Sequence, residues 1–378
     1  MNKTVPQLKN ILFIRSLRKH KWGGIEKWMF EVGKDLKKKG YKVVDCARPG
    51  SRFISAAEDL SFKNYEVRFS SDIHPLVSLK LRRIILREKI DLICTGEEKE
   101  LRLLAPVFWF GKKPVIIIRK GLALIKNKRR FRIVYEKLVD AVITPSHALA
   151  DYLLKLLPWL ESEKMHVLHN GVEIPDGVEK GRFRKELNID ENKFLAVILG
   201  RFNIPKGHKY LFEALAMIKD EITDILVAVV GGGNQEKKFR DETERLDIAD
   251  IVKFLGHRSD VNAILSDADL LIHPSLREGG NPHAILEALA NGTAVLATDI
   301  PGVNEIMDGK EVMALVPPAD SKAIAEKLIQ LKSDSAYRNK LAVVGKEHVT
   351  KNFSLRNMLD GSEKIFVDTF DRKVSTHY

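Results

Sequence analysis

Residues 268–305 are the stretch that most limits how this chain of 378 residues can fold. A short apolar run, Leu270 to Ile272, ends before Pro274 and predicts a buried strand of a parallel sheet. A glycine-rich loop and a helix follow, and Asn291-Gly292 ends that helix, because glycine is a common C-terminal signal. Residues 294–297 predict the next buried strand. A strand, a loop, a helix and a strand in this order predict an α/β fold.

The same alternation continues along the whole chain and predicts doubly wound parallel sheets with helices on both faces. The length suits two domains, and the polar stretch 175–184 predicts a linker between them. We therefore predict two Rossmann-like domains, residues 1–175 and residues 176–352. The other expected strands are residues 11–14, 41–47, 91–94, 115–118, 141–144, 166–168, 194–199 and 225–230.

The loop at residues 277–281 combines glycines, an acid and a following helix start. Helix N-termini offer unpaired N–H groups to anions, and glycines let a ligand approach the backbone closely. Glu278 in the loop and Glu287 in the helix could both face a sugar and a ribose, whose vicinal hydroxyls suit carboxylates. The alternative is that both are solvated surface acids, and the shared sequence context favours function.

A second group of candidate site residues follows the predicted strand at residues 194–199. Gly200 and Arg201 end that strand, and Lys206 precedes the next helix. Two cations placed there predict a clamp for a diphosphate, with a surface Arg and Lys as the alternative. Residues 301–305 predict a turn into a helix, whose N–H groups could also bind the diphosphate.

These motifs resemble those of family 4 glycosyltransferases, which have the GT-B fold. The usual pattern is P-S-x-x-E-G-x-G followed, after seven residues, by a second Glu; here eight residues separate Glu278 from Glu287. Residues 140–146, 168–172, 200–207 and 252–256 resemble further family segments. The resemblance implies two Rossmann-like domains facing across a cleft, with the acceptor on the first. It also implies that a last helix, residues 353–372, packs back on the first domain.

The residues and the resemblance together predict the site. Arg201, Lys206 and Glu278 are the predicted catalytic residues. Glu26, in the first helical turn, is predicted only to favour the helix dipole. His257 and Arg258 are either contacts to the nucleotide base or solvent-facing loop residues. The predicted donor-binding residues are Gly23, Gly24, Gly200, His257, Arg258, Gly279, Gly280, Asn281 and Glu287.

The resemblance implies transfer with retention of configuration from a nucleotide-sugar. No Asp-x-Asp pair occurs among the pocket candidates, so we expect no metal and no other cofactor. The position at which many relatives carry a histidine is Arg119, which cannot act as a base but could hold a phosphate or an acidic acceptor. No catalytic histidine is therefore assigned. Among the histidines of the sequence, all of which are weak candidates, His283 is the best.

Charge is concentrated in one segment. The net charge is +12, and residues 111–137 carry ten Lys or Arg and one acid. Within residues 120–132, an apolar group precedes Lys128, Arg129 and Arg130. This pattern predicts docking on an anionic membrane surface, next to a phosphorylated glycolipid or glycan acceptor, with a solvated helix face as the alternative. Nucleic acid is not an expected partner.

The expected setting is the cytoplasm, on the inner face of the membrane, in cell-envelope or lipopolysaccharide synthesis. Two cysteines, no signal peptide and no long apolar run favour this setting. Two alternatives remain: a nucleotide-sugar epimerase on the same fold, and a basic protein that binds membranes or nucleic acids. A phosphorylase would need a pyridoxal-phosphate lysine motif, and none is apparent.

Overall fold

The computed structural model describes residues 7–17, 23–69, 74–108, 113–121, 125 and 127–375. The chain divides into two compact units. Unit 1 comprises Met1–His169 and Met358–Tyr378, and unit 2 comprises Asn170–Asn357. The division at Asn170 falls slightly before the predicted boundary at residue 175.

Unit 1 contains a parallel sheet of seven strands in the order β3-β2-β1-β4-β5-β6-β7. The strands are β1 (Asn10–Arg15), β2 (Lys42–Ala47), β3 (Lys63–Glu66), β4 (Leu92–Thr95), β5 (Val115–Arg119), β6 (Ala141–Thr144) and β7 (Met165–Val167). The helices between them are α1 (Gly24–Lys38), α2 (Arg52–Asp59), α3 (Pro75–Glu88), α4 (Glu98–Leu104), α5 (Arg129–Leu138) and α6 (His147–Leu156).

Unit 2 contains a parallel sheet of six strands in the order β10-β9-β8-β11-β12-β13. The strands are β8 (Phe194–Leu199), β9 (Ile225–Val230), β10 (Val252–Gly256), β11 (Leu270–His273), β12 (Ala294–Thr298) and β13 (Ala314–Val316). The helices are α7 (Arg182–Glu186), α8 (His208–Ile218), α9 (Glu236–Arg245), α10 (Val261–Asp267), α11 (His283–Asn291), α12 (Ser321–Ser333) and α13 (Ser335–Asn352).

Both strand orders reverse direction once, between β1 and β4 in unit 1 and between β8 and β11 in unit 2. The central strands are buried on both faces, which explains their nearly continuous apolar sequences. These two Rossmann-like sheets confirm the predicted α/β class. Ligands of such sheets bind beyond the carboxyl ends of the strands at the reversal, so the reversals locate the candidate sites.

The last helix, α14 (Leu355–Ser375), reaches unit 1 from Met358 onward. The ring of Phe366 is fully buried, 6.2 Å from Trp28 and 6.5 Å from Phe13 between ring centroids. Lys373 donates a hydrogen bond of 2.6 Å to Asp140. Aromatic packing and this ion pair therefore attach α14 to the first sheet. Across the described part of the chain, no helix combines the length and the apolar character needed to cross a membrane.

Some elements differ from the sequence predictions. The helix α9 was not predicted, because only Phe239 and Thr243 of its ten residues are buried and it lacks an apolar stripe. The strand β3 has no fully buried residue and lies at the sheet edge. Residues 301–305 do not lead into a full helix: only a single 3₁₀ turn, Asn304–Ile306, forms there. The thiols of Cys46 and Cys94 are buried and unpaired.

Candidate active site

The candidate site of unit 2 lies at the reversal between β8 and β11. These strands pair directly, with Leu270 opposite Ala196, so the loops that follow them leave the sheet side by side. The two loops touch through their backbones at Gly207, where φ is +70°. A Cβ atom on Gly207 would lie 1.8 Å from the carbonyl oxygen of Pro274, so only glycine fits there.

The loop after β12 also reaches this place. Gly302 has φ +86°, and a Cβ atom on it would lie 3.0 Å from the Cα atom and the carbonyl oxygen of Gly280. Asn281 is buried, and its side chain donates to the carbonyl of Gly302 at 3.3 Å. The carbonyl of Asn281 in turn accepts from the side chain of Asn170 at 2.9 Å. These contacts hold the glycine loop in place before α11 begins.

Glu278 is the centre of an ionic cluster between the two loops. Its Oε1 atom lies 2.5 Å from Nζ of Lys206 and 2.9 Å from Nε2 of His273. Burial alone would raise the pKa of Glu278, but His273 and Lys206 outweigh it and lower the pKa to about 2. Burial lowers the pKa of His273, and Glu278 partly opposes this shift. Glu278 is therefore a carboxylate held by two nitrogen donors.

His273 is a site residue that the sequence analysis missed. It is the last residue of β11 and is 2% exposed. A polar residue at the carboxyl end of an otherwise apolar strand is the signal that could have identified it, because such positions face the ligand edge of a parallel sheet.

His208 is a second residue that was missed. It is the first residue of α8, and its ring stacks on Phe239 with centroids 4.7 Å apart. Burial, and then the charges of Lys206 and His273, lower its pKa to about 4. Within the described ranges, neither ring nitrogen has a hydrogen-bond partner. His208 is therefore a neutral imidazole packed among aromatic rings, and it is close enough to Lys206 for the charge of that lysine to lower its pKa.

The two cations of the predicted clamp differ in state. Arg201 is exposed, and no described residue accepts a hydrogen bond from its guanidinium or forms an ion pair with it. Lys206 is half-buried and already paired with Glu278. Gly200 precedes both in the chain, and a Cβ atom added to it would lie 3.7 Å from the side chain of Lys206. The structure thus groups Lys206 with Glu278 and leaves Arg201 open to solvent.

Glu287 is the fifth residue of α11 and is half-buried. The helix begins at His283, after Pro282 at the cap position, and Gly279 and Gly280 immediately precede this start in the loop. Glu278 and Glu287 therefore flank the beginning of one helix, as the sequence predicted. The eight residues between them comprise the end of the loop that Asn281 anchors and the first four residues of α11.

The predicted base contacts follow β10, at the edge of the sheet. His257 is exposed. Arg258 donates to Glu186 at 2.5 and 2.8 Å and to Asp260 at 2.8 and 2.6 Å. These carboxylates raise the pKa of Arg258. Most donors of Arg258 are thus used within unit 2, and the base contacts of His257 and Arg258 stay predictions.

In unit 1, Gly23 and Gly24 lie at the start of α1, near the reversal between β1 and β4. The N–H of Gly23 donates to Glu26 at 2.9 Å, and Glu26 forms a buried ion pair with Arg15 at the end of β1. Glu26 is an acid in the first turn of α1, as predicted, and the ion pair with Arg15 is an additional role that the sequence analysis did not identify. Glu100 completes this cluster by accepting from the N–H groups of Ser16 and Gly96.

Arg119 ends β5 and is 2% exposed. Its guanidinium lies 4.5 Å from the ring centroid of Trp28, and burial lowers its pKa to about 9. Both terminal nitrogens approach the carbonyl of Leu168 at 3.4 Å. Arg119 is thus enclosed within unit 1, and its contact to a phosphate or an acidic acceptor stays a prediction.

Lys128, Arg129 and Arg130 are exposed at the start of α5. Two parts of the predicted docking segment, residues 122–124 and residue 126, lie outside the described residues.

The described side chains contain one cluster of three carboxylates with metal-ligand spacing, formed by Asp35, Asp360 and Glu363. The ammonium group of Lys39 forms ion pairs with all three of these carboxylates.

Two protein-family models match the sequence and together cover most of it. The model described as "Glycosyltransferase Family 4" matches residues 22–174. The model described as "Glycosyl transferases group 1" matches residues 179–348. The boundary between the two matches falls near the division between unit 1 and unit 2.

Relatives and solved structures agree with these matches. A phosphatidyl-myo-inositol mannosyltransferase of Mycobacterium leprae is 30% identical over 48% of this chain and 50% of its own. The chain thus spans about half the length of several curated relatives it matches. An Escherichia coli UDP-Gal:alpha-D-GlcNAc-diphosphoundecaprenol alpha-1,3-galactosyltransferase is 24% identical over 79% of this chain and 80% of its own. The crystal structure of Anabaena Alr3699/HepE in complex with UDP is similar in fold, with a TM-score of 0.83, 19% identity, and coverage of 95% of this chain and 100% of that one.

Proposed function

Because the chain belongs to family 4 of the glycosyltransferases, we propose that it transfers a sugar from a nucleotide-sugar to a glycan or lipid-linked acceptor. One observation carries the proposal: at the strand reversal of unit 2, Lys206 from the loop after β8 pairs with Glu278 from the loop after β11. The exposed Arg201 and the half-buried Glu287 belong to the same two loop–helix segments. Cations there suit a diphosphate, and carboxylates suit the hydroxyls of a sugar and a ribose.

The proposed chemistry uses the charges of this cluster. Arg201 binds the diphosphate first, because its guanidinium is exposed. Lys206 then turns from Glu278 to the same diphosphate, and His273 keeps Glu278 in place. In the transition state the leaving diphosphate gains negative charge, and fixed cations stabilise that charge more than they stabilise the ground state. Since two side chains supply this positive charge, the proposal needs no metal ion.

We propose transfer with retention of configuration, through an oxocarbenium-like transition state. The oxygen of the leaving diphosphate takes the proton of the acceptor hydroxyl. Two features support this proton acceptor over a side-chain base. Glu278 is held as a carboxylate by two donors, and the family's usual histidine position is the buried Arg119.

Glu287 is proposed to bind the ribose of the donor, because it lies one turn inside α11 beside the glycine loop. Replacing Glu287 with alanine should weaken binding of the nucleoside diphosphate by about 1–3 kcal/mol, the range for losing a charged hydrogen-bond partner. Calorimetric titration measures this loss, starting with UDP because the Anabaena structure contains it. Glu326, an exposed acid of α12, gives the matched control when changed to alanine. Unchanged affinity in Glu287→Ala would show that the carboxylate does not hold the nucleotide.

The acceptor is proposed to be lipid-linked and phosphorylated. The Escherichia coli relative is named for a diphosphoundecaprenol acceptor, and the Mycobacterium leprae relative for a phosphatidyl-inositol acceptor. Both kinds of acceptor present phosphate groups at a membrane surface. We therefore propose that the protein acts in cell-envelope polysaccharide or lipopolysaccharide synthesis, docked on the inner face of the membrane.

Substitution of the exposed cations at the start of α5 tests this docking. Replacing Lys128, Arg129 and Arg130 with serine should reduce co-sedimentation with anionic vesicles strongly, because each cation near such a surface contributes about 1 kcal/mol. The wild-type binding should also fall as salt screens the charges. Vesicles containing phosphatidylglycerol are compared with vesicles of phosphatidylcholine alone. Equal sedimentation of the variant and the wild type would exclude these residues from docking.

A further inference from the structure

We propose that helix α3 is a second membrane-docking element, which lays exposed leucines into an anionic lipid surface. Its outward face carries Leu76, Leu79 and Leu86, whose exposed fractions are 72%, 49% and 65%. This surface is distinct from the basic start of α5. The inference does not depend on which sugar the protein transfers.

The helix α3 is apolar on two faces. Its inward side chains Val77, Leu81, Ile84 and Ile85 pack in the core of unit 1. An amphipathic helix of a globular protein normally carries polar residues on its other face. Three exposed leucines on one helix therefore form an apolar patch that calls for a functional cause, since patches of this kind mark binding surfaces.

The pattern around the leucines indicates the partner. With about 100° of rotation per residue, the three leucines fall within an arc of roughly 80°. Arg83 lies inside this arc, and cations flank it on both sides. Arg82 lies on one side, and Lys80 and Arg87 lie on the other. Leucines at the centre and cations around them are typical of helices that lie in the lipid interface.

Little acidic charge within α3 offsets these cations. Glu88 is the single acid of α3; it is buried, pairs with Lys42 and Lys63, and its Oε1 atom lies 3.8 Å from Nε of Arg87. Among the described residues, the guanidinium groups of Arg82 and Arg83 have no ion-pair partner. The surface is thus both apolar and cationic, and an anionic bilayer complements both properties.

The topology places α3 and α5 together. Core residues of α3, α4, α5 and α6 belong to one cluster on the same face of the first sheet. In a parallel α/β sheet the helices run opposite to the strands, so every helix starts at the carboxyl edge of the sheet. Leu76 at the start of α3 and Arg129 at the start of α5 therefore lie at one edge and on one face.

Vesicle co-sedimentation of the full chain tests the proposal without any sugar substrate. The vesicles contain phosphatidylcholine alone, or phosphatidylcholine mixed with phosphatidylglycerol. Changing Leu76, Leu79 and Leu86 together to serine should lower the partition onto mixed vesicles by about tenfold or more, because three apolar side chains no longer enter the interface. The matched control changes Met217 and Val343 to serine, since both are similarly exposed but lie in unit 2. The control should partition like the wild type.

Thermal unfolding of the triple variant should match that of the wild type, because the three side chains are exposed. If the triple variant does not fold, Leu76→Ser alone gives a smaller loss of partition in the same direction. Wild-type partition by a folded triple variant would overturn the proposal. Equal partition of the wild type onto neutral and mixed vesicles would also overturn it. A wild-type dimer that the triple variant converts to a monomer, with no vesicle binding by either protein, would show that a second copy covers α3 instead.

Discussion

Changing Arg201 and Lys206 together to alanine should lower the rate of sugar transfer by about three orders of magnitude or more. Removing one donor that stabilises a developing anion typically costs about 10²–10³ in turnover, and this variant removes two cations. The structure gives a separate reason to expect an effect from each of the two cations. Arg201 is exposed at the strand reversal, and Lys206 lies on the carboxylate of Glu278 in the same loop cluster.

The fold should survive this double substitution. Arg201 is exposed, and its guanidinium has no hydrogen-bond or ion-pair partner among the described residues; Lys206 is half-buried at the end of a 3₁₀ turn. The matched control changes Lys209 and Lys238 to alanine, which removes the same charge from exposed positions of unit 2. Turnover is measured as release of nucleoside diphosphate in the presence of acceptor. Full activity in the double variant would exclude the clamp.

Gly207→Ala should destabilise unit 2 by about 2–4 kcal/mol and also abolish most of the activity. Two costs act at once in this variant. A left-handed backbone strains alanine by about 1 kcal/mol, and the new Cβ atom would lie 1.8 Å from the carbonyl oxygen of Pro274. Relieving that overlap separates the loops after β8 and β11, and the separation moves Lys206 away from Glu278.

Gly309→Ala is the matched control for this variant. Gly309 has φ +73°, close to the +70° of Gly207, but a Cβ atom there meets nothing within 4 Å. It should therefore cost only the strain of about 1 kcal/mol and leave activity unchanged. Urea denaturation of both variants measures the difference in the free energy of unfolding. Equal costs for the two variants would show that the loops can move apart freely.

The sequence predicted the fold well where hydrophobic runs end at glycine or proline. The strand β11 ends before Pro274, and β8 ends before Gly200, so their bounds were close to those observed. The helix α9 escaped prediction because it exposes nearly all of its surface. Local sequence carries little signal when so few residues of an element are buried.

The candidate site was only partly predictable, because its chemistry depends on distant partners. Lys206 and Glu278 were each identified, but their ion pair joins residues far apart in the chain. Likewise, Glu186 occupies the guanidinium of Arg258, and the ring of Trp28 covers Arg119. A motif indicates which residues are present, whereas tertiary contacts decide which of their charges remain available to a ligand.

Calorimetric titration of the full chain with nucleoside diphosphates, in the presence of a metal chelator, tests the central claim most directly. The proposed site predicts one binding site for at least one of these nucleotides in the wild type. It also predicts that the affinity falls when Arg201 and Lys206 are both alanine, and that the Lys209 and Lys238 control binds like the wild type. Binding that requires a divalent cation, or that is the same in the double variant, would contradict a donor site built on these two cations.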